Sequence, residues 1–279
     1  MNEYVAESEP RAGSPVESDL AARRTETVDA VGPSDAPPVV FVHGTIFNRT
    51  MWAPQRTALS NEFRVIAPDL PGHGERRDEP FRLAEGVRTV NDAIERFADG
   101  PVHLVGLSLG GYVASAFAAR RPEAVEDLIV SGCSANPVGL LGAATDVVGD
   151  VALRASESGL VERAVDRLAA RWVRKRDLPA ELEAEIIDAG FDLRPFGEAG
   201  REIAGVDFRS SFASFDGPKL VLNGQWDLLM RSGEKAHAKA AEDVTVAVVA
   251  GAGHTCNLER ADAYAEAVRR FVRDDRRVA

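Results

Sequence analysis

The chain has 279 residues, 45% of them hydrophobic, with 33 Lys and Arg against 44 Asp and Glu and a formal net charge of −11. That length buries a substantial core, as one α/β domain or as a core domain carrying an insertion. An acidic chain argues against nucleic acid or an anionic membrane as main partner, since clustered Lys and Arg hold both; no apolar run approaches the roughly 18 residues of a membrane-spanning helix.

In chain order, residues 1–23 are rich in Glu, Ser, Pro, Ala and Arg and lack aliphatic patterning, so a disordered tail is expected there. This acidic start has no apolar core and is no secretory signal, and a cytoplasmic protein is expected. A weak alternation over 25–31 suggests a first strand, followed by turn chemistry over 32–37. Residues 38–42 are a short all-apolar run, the pattern of a strand buried on both faces. A helix follows from about 52 to 60, a strand at 63–67 and a helix at 83–98. The apolar run at 102–105 then enters Gly106-Leu107-Ser108-Leu109-Gly110, and an Ala-rich amphipathic helix follows over 111–120. Strand, serine between glycines and helix form the context in which a sharp turn lifts a hydroxyl above a sheet. One more strand is expected at 125–130.

From 133 to about 215 strands vanish, and helical stretches follow one another at about 139–154, 160–174, 180–189 and 195–204. A helical insert in an α/β chain suggests a cap over the carboxyl ends of the strands, where such folds bind ligands. The α/β pattern resumes with a strand from 218, a helix at 233–242, a strand at 244–249 and a helix at 258–272. The expected organisation is therefore a core of residues 24–132 and 216–279 with a helical cap of 133–215. Cys133 and Cys256 stand far apart between small residues, which suits reduced, buried thiols and not a disulfide or metal framework. No metal and no cofactor is expected.

Five motifs stand in order: Val40-Phe41-Val42-His43-Gly44, Pro68-Asp69-Leu70-Pro71-Gly72-His73-Gly74, Gly106 to Gly111, Gly224-Gln225-Trp226-Asp227 and Gly251-Ala252-Gly253-His254. On these residues the chain resembles the α/β-hydrolase superfamily from 38 to about 275. The resemblance implies a mostly parallel, twisted sheet flanked by helices, with a helical cap insertion. It also implies Ser108 as nucleophile, His254 as base and Asp227 as the acid that orients the base. The chemistry is coherent. A serine hydroxyl needs a base in the transition state, and imidazole accepts and returns a proton near neutral pH. A carboxylate fixes the imidazole tautomer and stabilises the imidazolium. In some relatives the acid follows the strand after the nucleophile helix, but here Ser131-Gly132-Cys133-Ser134 offers no carboxylate. Asp69, His43 and His73 match structural loop positions, His103 lies in a strand, and His237 sits on a helix of polar pattern.

For the oxyanion, the resemblance implies the backbone N–H groups of Leu109 and Thr45, with Ile46 as the alternative to Thr45. A serine at 108 excludes the branches that carry Asp there. It leaves esterases, lactonases, thioesterases, C–C bond hydrolases and cofactor-free haloperoxidase-like enzymes. Residues 254–259 are similar to the corresponding stretch of 3-oxoadipate enol-lactonases and small esterases. Thr255 and Cys256 stand where C–C hydrolases often carry Trp, which favours a small carboxylic ester or lactone as substrate. A ligand-binding protein on the same fold is the alternative of a different class. Trp226 and Phe47 are candidates for the acyl pocket, or for core and loop packing.

Overall fold

The computed structural model describes residues 27–273. The expected tail at 1–23 lies outside them. Seven strands form one sheet: β1 (Val28–Val31), β2 (Pro38–Val42), β3 (Arg64–Pro68), β4 (Val102–Leu107), β5 (Val125–Ser131), β6 (Lys219–Gly224) and β7 (Val244–Val249). Their spatial order is β1-β3-β2-β4-β5-β6-β7, with only β1 antiparallel to its neighbour. The first seven helices are α1 (Ala53–Leu59), α2 (Leu83–Phe97), α3 (Leu109–Ala118), α4 (Gly139–Ser156), α5 (Gly159–Val173), α6 (Ala180–Asp188) and α7 (Arg194–Ile203). The remainder are α8 (Phe208–Ala213), α9 (Leu228–Arg231), α10 (Glu234–Ala240), α11 (Cys256–Glu259) and α12 (Ala261–Val272). The expected strands and long helices are present. The short α8 and α9 are additions to that pattern, and the helix expected at 258–272 is split into α11 and α12.

Successive strand side chains point to opposite faces, so each central strand feeds two apolar layers. Val40, Val42, Leu104 and Val130 pack with Val90, Ile94, Val113 and Phe117 of α2 and α3. Val39, Phe41, Val105 and Ile129 pack on the other face with Trp52, Leu59, Tyr264, Val268 and Phe271. This two-sided burial explains why the strands read as unbroken apolar runs. β2 lies between β3 and β4, so the chain leaves it to one side and later returns to the other. The crevice outside the carboxyl ends of strands at such a reversal is where an open parallel sheet accepts ligands. Here the loops after β2 and β4, with Thr45 and Ser108, converge.

The five helices α4 to α8 fill the sequence between β5 and β6. α4 and α7 cross nearly backbone to backbone. A Cβ at Gly197 would lie 2.7 Å from the Leu153 backbone nitrogen, and one at Gly200 would lie 2.9 Å from the Gly149 Cα. α6 packs against α1, and α5 meets the loop after β2. The Arg56 guanidinium donates to both Glu185 carboxylate oxygens at 2.8 and 2.6 Å, and Asn48 Nδ2 donates to the Gly190 carbonyl at 3.2 Å. Phe47 stacks edge-on against Phe191 at 5.4 Å and Trp172 at 6.2 Å, which makes it a packing residue between the loop after β2 and the helical stretch.

Candidate active site

Ser108 stands between the last residue of β4 and the first of α3 at φ 55°, ψ −118°, a conformation L side chains rarely adopt. Such a residue costs about 1–3 kcal/mol and persists only where its surroundings over-determine it. Those surroundings are visible. A Cβ at Gly106 would meet the Gly110 carbonyl oxygen at 2.3 Å, and one at Gly110 would meet the Val42 carbonyl oxygen at 2.0 Å. The Ser108 N–H donates to the Ser131 carbonyl at 2.7 Å, which ties the turn to the end of β5. The two glycines thus let α3 start hard against β2 and β4. Leu109, the first residue of α3, points its N–H out of the helix, where no intrahelical acceptor exists.

Asp227 follows β6 and caps α9, and it is nearly buried. His254 follows β7 on a loop with several restraints. The Gly253 N–H donates to Glu259 Oε2 at 3.0 Å, and the Trp226 N–H donates to the Ala252 carbonyl at 2.8 Å. The result is a continuous relay: Ser108 Oγ lies 3.0 Å from His254 Nε2, and His254 Nδ1 lies 2.7 Å from Asp227 Oδ2. With Nδ1 donating to the carboxylate, Nε2 is left to accept the serine proton. The histidine side chain is 43% exposed, so water reaches it. Thr45, Ser108, Leu109, Asp227 and His254 all line one pocket of about 340 Å3, whose other walls come from α3, α4, α7 and α9. Ile46 is not among its lining residues. Its carbonyl accepts from the Asp192 N–H at 3.0 Å, and its side chain packs on the core.

The other candidates fall elsewhere. Asp69 is fully buried and ion-paired to Arg49, and its carboxylate also accepts from the Arg49 and Glu75 N–H groups at 2.8 and 3.0 Å. Burial raises its carboxyl while Arg49 pulls it back. His43 and His73 are buried ring against ring at 4.8 Å, and His43 Nε2 accepts from the Leu70 N–H at 2.9 Å. Burial pushes His43 down to about 4, so it is neutral at pH 7. His237 differs from its polar-helix reading: it is buried, packed on Phe212 at 5.1 Å and lowered by burial to about 4. Trp226 is 65% exposed and lies neither in the core nor in the pocket wall. Both thiols are buried, and burial pushes each upward, Cys256 to about 12, which leaves them unreactive.

The supporting residues are not legible in the sequence. Asn223, fully buried at the end of β6, accepts from the Gly132 N–H at 2.9 Å and donates to Ser134 Oγ at 2.8 Å. It fixes the loop after β5 directly beneath the imidazole, where a Cβ at Gly132 would lie 3.1 Å from His254 Cε1. Tyr112 donates its hydroxyl to the Ala135 carbonyl at 2.6 Å and so turns only its ring to the pocket. An Asn at a strand end and a Gly just past another strand carry no motif; only their juxtaposition gives them work.

A mostly parallel sheet on which a serine turn, an aspartate and a histidine follow β4, β6 and β7 in that order has the arrangement of one class of fold. The family profile described as "Alpha/beta hydrolase family" matches residues 39–267, and the chain belongs to that family. Among curated relatives it is similar to Carboxylesterase YbfK of Bacillus subtilis (strain 168), 33% identical over 123 residues, a match spanning 42% of each chain. It is also similar to the pimeloyl-[acyl-carrier protein] methyl ester esterase of Nitrosospira multiformis, 25% identical over 271 residues, covering 88% of this chain and 97% of that one. Among solved structures, a thermophilic esterase from Thermogutta terrifontis superposes with a TM-score of 0.68 at 27% identity, over 88% of this chain and 92% of that one. The enol-lactonase from Burkholderia xenovorans LB400 shares the fold with a TM-score of 0.69 at 24% identity, over 88% and 95% of the two chains.

Proposed function

We propose that this protein is a serine hydrolase that cleaves a small carboxylic ester or lactone through an acyl-enzyme on Ser108. The observation that carries this reading is the unbroken relay from Ser108 through His254 to Asp227 at the wall of an apolar pocket. The esterase relatives support the reaction class. Ser108 Oγ attacks the substrate carbonyl carbon as its proton passes to His254 Nε2. The oxyanion that forms is held by the N–H groups of Leu109 and Thr45, each donor being worth roughly 2.7–4 kcal/mol by precedent. The tetrahedral species collapses and the C–O bond to the alcohol breaks. The leaving oxygen takes the proton from His254. Water, deprotonated by the same nitrogen, then attacks the acyl carbon. Ser108 leaves with the proton, and the carboxylic acid is released.

In the same proposal residues 133–215 act as the cap, with α4 and α7 as its pocket-facing part, and the enzyme works in the cytoplasm with its thiols reduced. The test is labelling with a fluorophosphonate, which reacts with activated serines. Wild type is expected to label and Ser108→Ala to remain unlabelled. A folded wild type that resists the probe and cleaves no activated ester overturns the reading.

A further inference from the structure

The pocket walls carry more information than the relay. The cavity of about 340 Å3 lies at the small end of the range of small-molecule sites, about 300–1,000 Å3. Its walls away from the relay are Leu109, Leu141, Phe196, Ile203, Met230 and their neighbours, with no Lys or Arg among the lining residues. Besides Ser108 and Thr45, two hydroxyl-bearing residues line the pocket, and each gives its proton to a backbone carbonyl. Thr145 Oγ1 donates to the Leu141 carbonyl at 2.8 Å, and the Tyr112 hydroxyl donates to the Ala135 carbonyl at 2.6 Å. The guanidinium groups carried by α7 belong to another surface. Arg194 pairs with Glu198 at 2.9 Å and Arg201 with Asp150 at 3.3 Å, and both line a larger charged groove that contains none of Ser108, Asp227 and His254. The open end is apolar as well, since Val148 is 53% and Leu229 56% exposed at residues that also line the pocket.

We infer that the substrate carries an uncharged, short-to-medium alkyl acyl group, and that esters or lactones bearing a second carboxylate are rejected. This rests on the acyl-enzyme reading above and gives it a substrate class. A carboxylate entering this cavity loses water and finds no cation and no free donor on the α4 and α7 walls, while the Asp227 carboxylate adds repulsion. A methylene finds apolar contacts instead. Each one buried is expected to raise kcat/KM roughly fourfold until the cavity is full. The small ester or lactone that the resemblance implies is thereby narrowed to one with a neutral acyl group.

The test compares 4-nitrophenyl 5-methylhexanoate with mono-4-nitrophenyl glutarate, after subtraction of spontaneous hydrolysis. The acyl groups have the same length and branching and differ only in ending as isopropyl or carboxylate. The neutral ester is expected to have a kcat/KM at least about a hundredfold higher. In Thr145→Arg, a half-buried helical position where Arg is a good helix former, the gap is expected to narrow at least about tenfold as a cation reaches the wall. Glutarate cleaved within tenfold of its isostere by wild type overturns the inference, as does an unchanged gap in a folded Thr145→Arg. In either case fluorophosphonate labelling of Ser108 persists, whereas failure of the acyl-enzyme reading abolishes labelling and both turnovers together.

Discussion

Gly132 lies under the imidazole of His254 at φ +58°, and alanine there is expected to damage catalysis more than stability. The perturbation is one methyl group. It would stand 3.1 Å from His254 Cε1 and 3.3 Å from Nδ1, closer than ordinary van der Waals contact, so the ring yields by a few tenths of an ångström. The ring has little freedom to yield, because its two nitrogens sit 2.7 Å from Asp227 Oδ2 and 3.0 Å from Ser108 Oγ. Sub-ångström misplacement of a reacting group costs up to about a hundredfold, so kcat is expected to fall roughly ten- to hundredfold with KM little changed. The left-handed backbone adds a stability cost of roughly 1–2 kcal/mol. Gly139 is the matched control, with φ +59° and nothing within 4 Å of the point a Cβ would occupy. Gly139→Ala is expected to show a similar shift in urea midpoint with near wild-type turnover. Steady-state kinetics and urea melts of both variants decide the matter. Equal loss of kcat in the two variants would refute the idea that Gly132 exists to clear the histidine.

Asp227→Asn is expected to fold and to lose about 10^4 in kcat, since an amide cannot hold the imidazole tautomer or stabilise its cation; stopped-flow acylation together with a thermal melt checks this. Asn223→Ala leaves the Gly132 N–H buried without its acceptor and is expected to cost about 1–3 kcal/mol by urea melt, with a lower kcat as the loop under His254 loosens. The stability of the fold is expected to fall in mild acid. His43 and His237 are held near 4 by burial while the unfolded chain takes up protons from about 6.5, so the stability they confer is complete above that pH and is lost below it. At pH 5 the loss is about 2 kcal/mol for each histidine. Protonation of Asp69, whose carboxyl burial raises, offsets part of it. Urea midpoints at pH 7 and pH 5 measure the net effect, and an unchanged midpoint would refute the expected net fall.

Much of the fold is legible because a strand covered on both faces must be apolar at every position, as Val39 to Val42 are, and as Val102, Leu104 and Val105 are in β4. The glycines around Ser108, the acid after β6 and the histidine after β7 are legible because a tight turn and a proton relay each tolerate few residue types. The four-residue α9 and α11 are not, since four residues make barely one turn and show no period. His237 escapes a sequence reading because the ring that buries it, Phe212, lies on a different helix and is brought there by the fold. Trp226 escapes it for the opposite reason: a large apolar side chain next to the acid stands in solvent. The absence of cations from the pocket wall is equally hidden, because Arg194 and Arg201 share α7 with Phe196 and Ile203 and only the rotation of that helix separates them.

The distribution of the relay across the sheet also bears on how the chain is made. Ser108 and His254 are 146 positions apart, and β6 and β7 join the sheet edge only after the whole helical stretch has been synthesised. Pairings of such long range form late, because the intervening loop must be closed before they bring any gain. In the proposed mechanism a ribosome-bound chain that has already folded β1 to β5 therefore carries a serine on a strained turn without its base. On that reading reactivity arrives only after the final strand, because His254 follows β7, and the chain stays chemically silent through most of its synthesis.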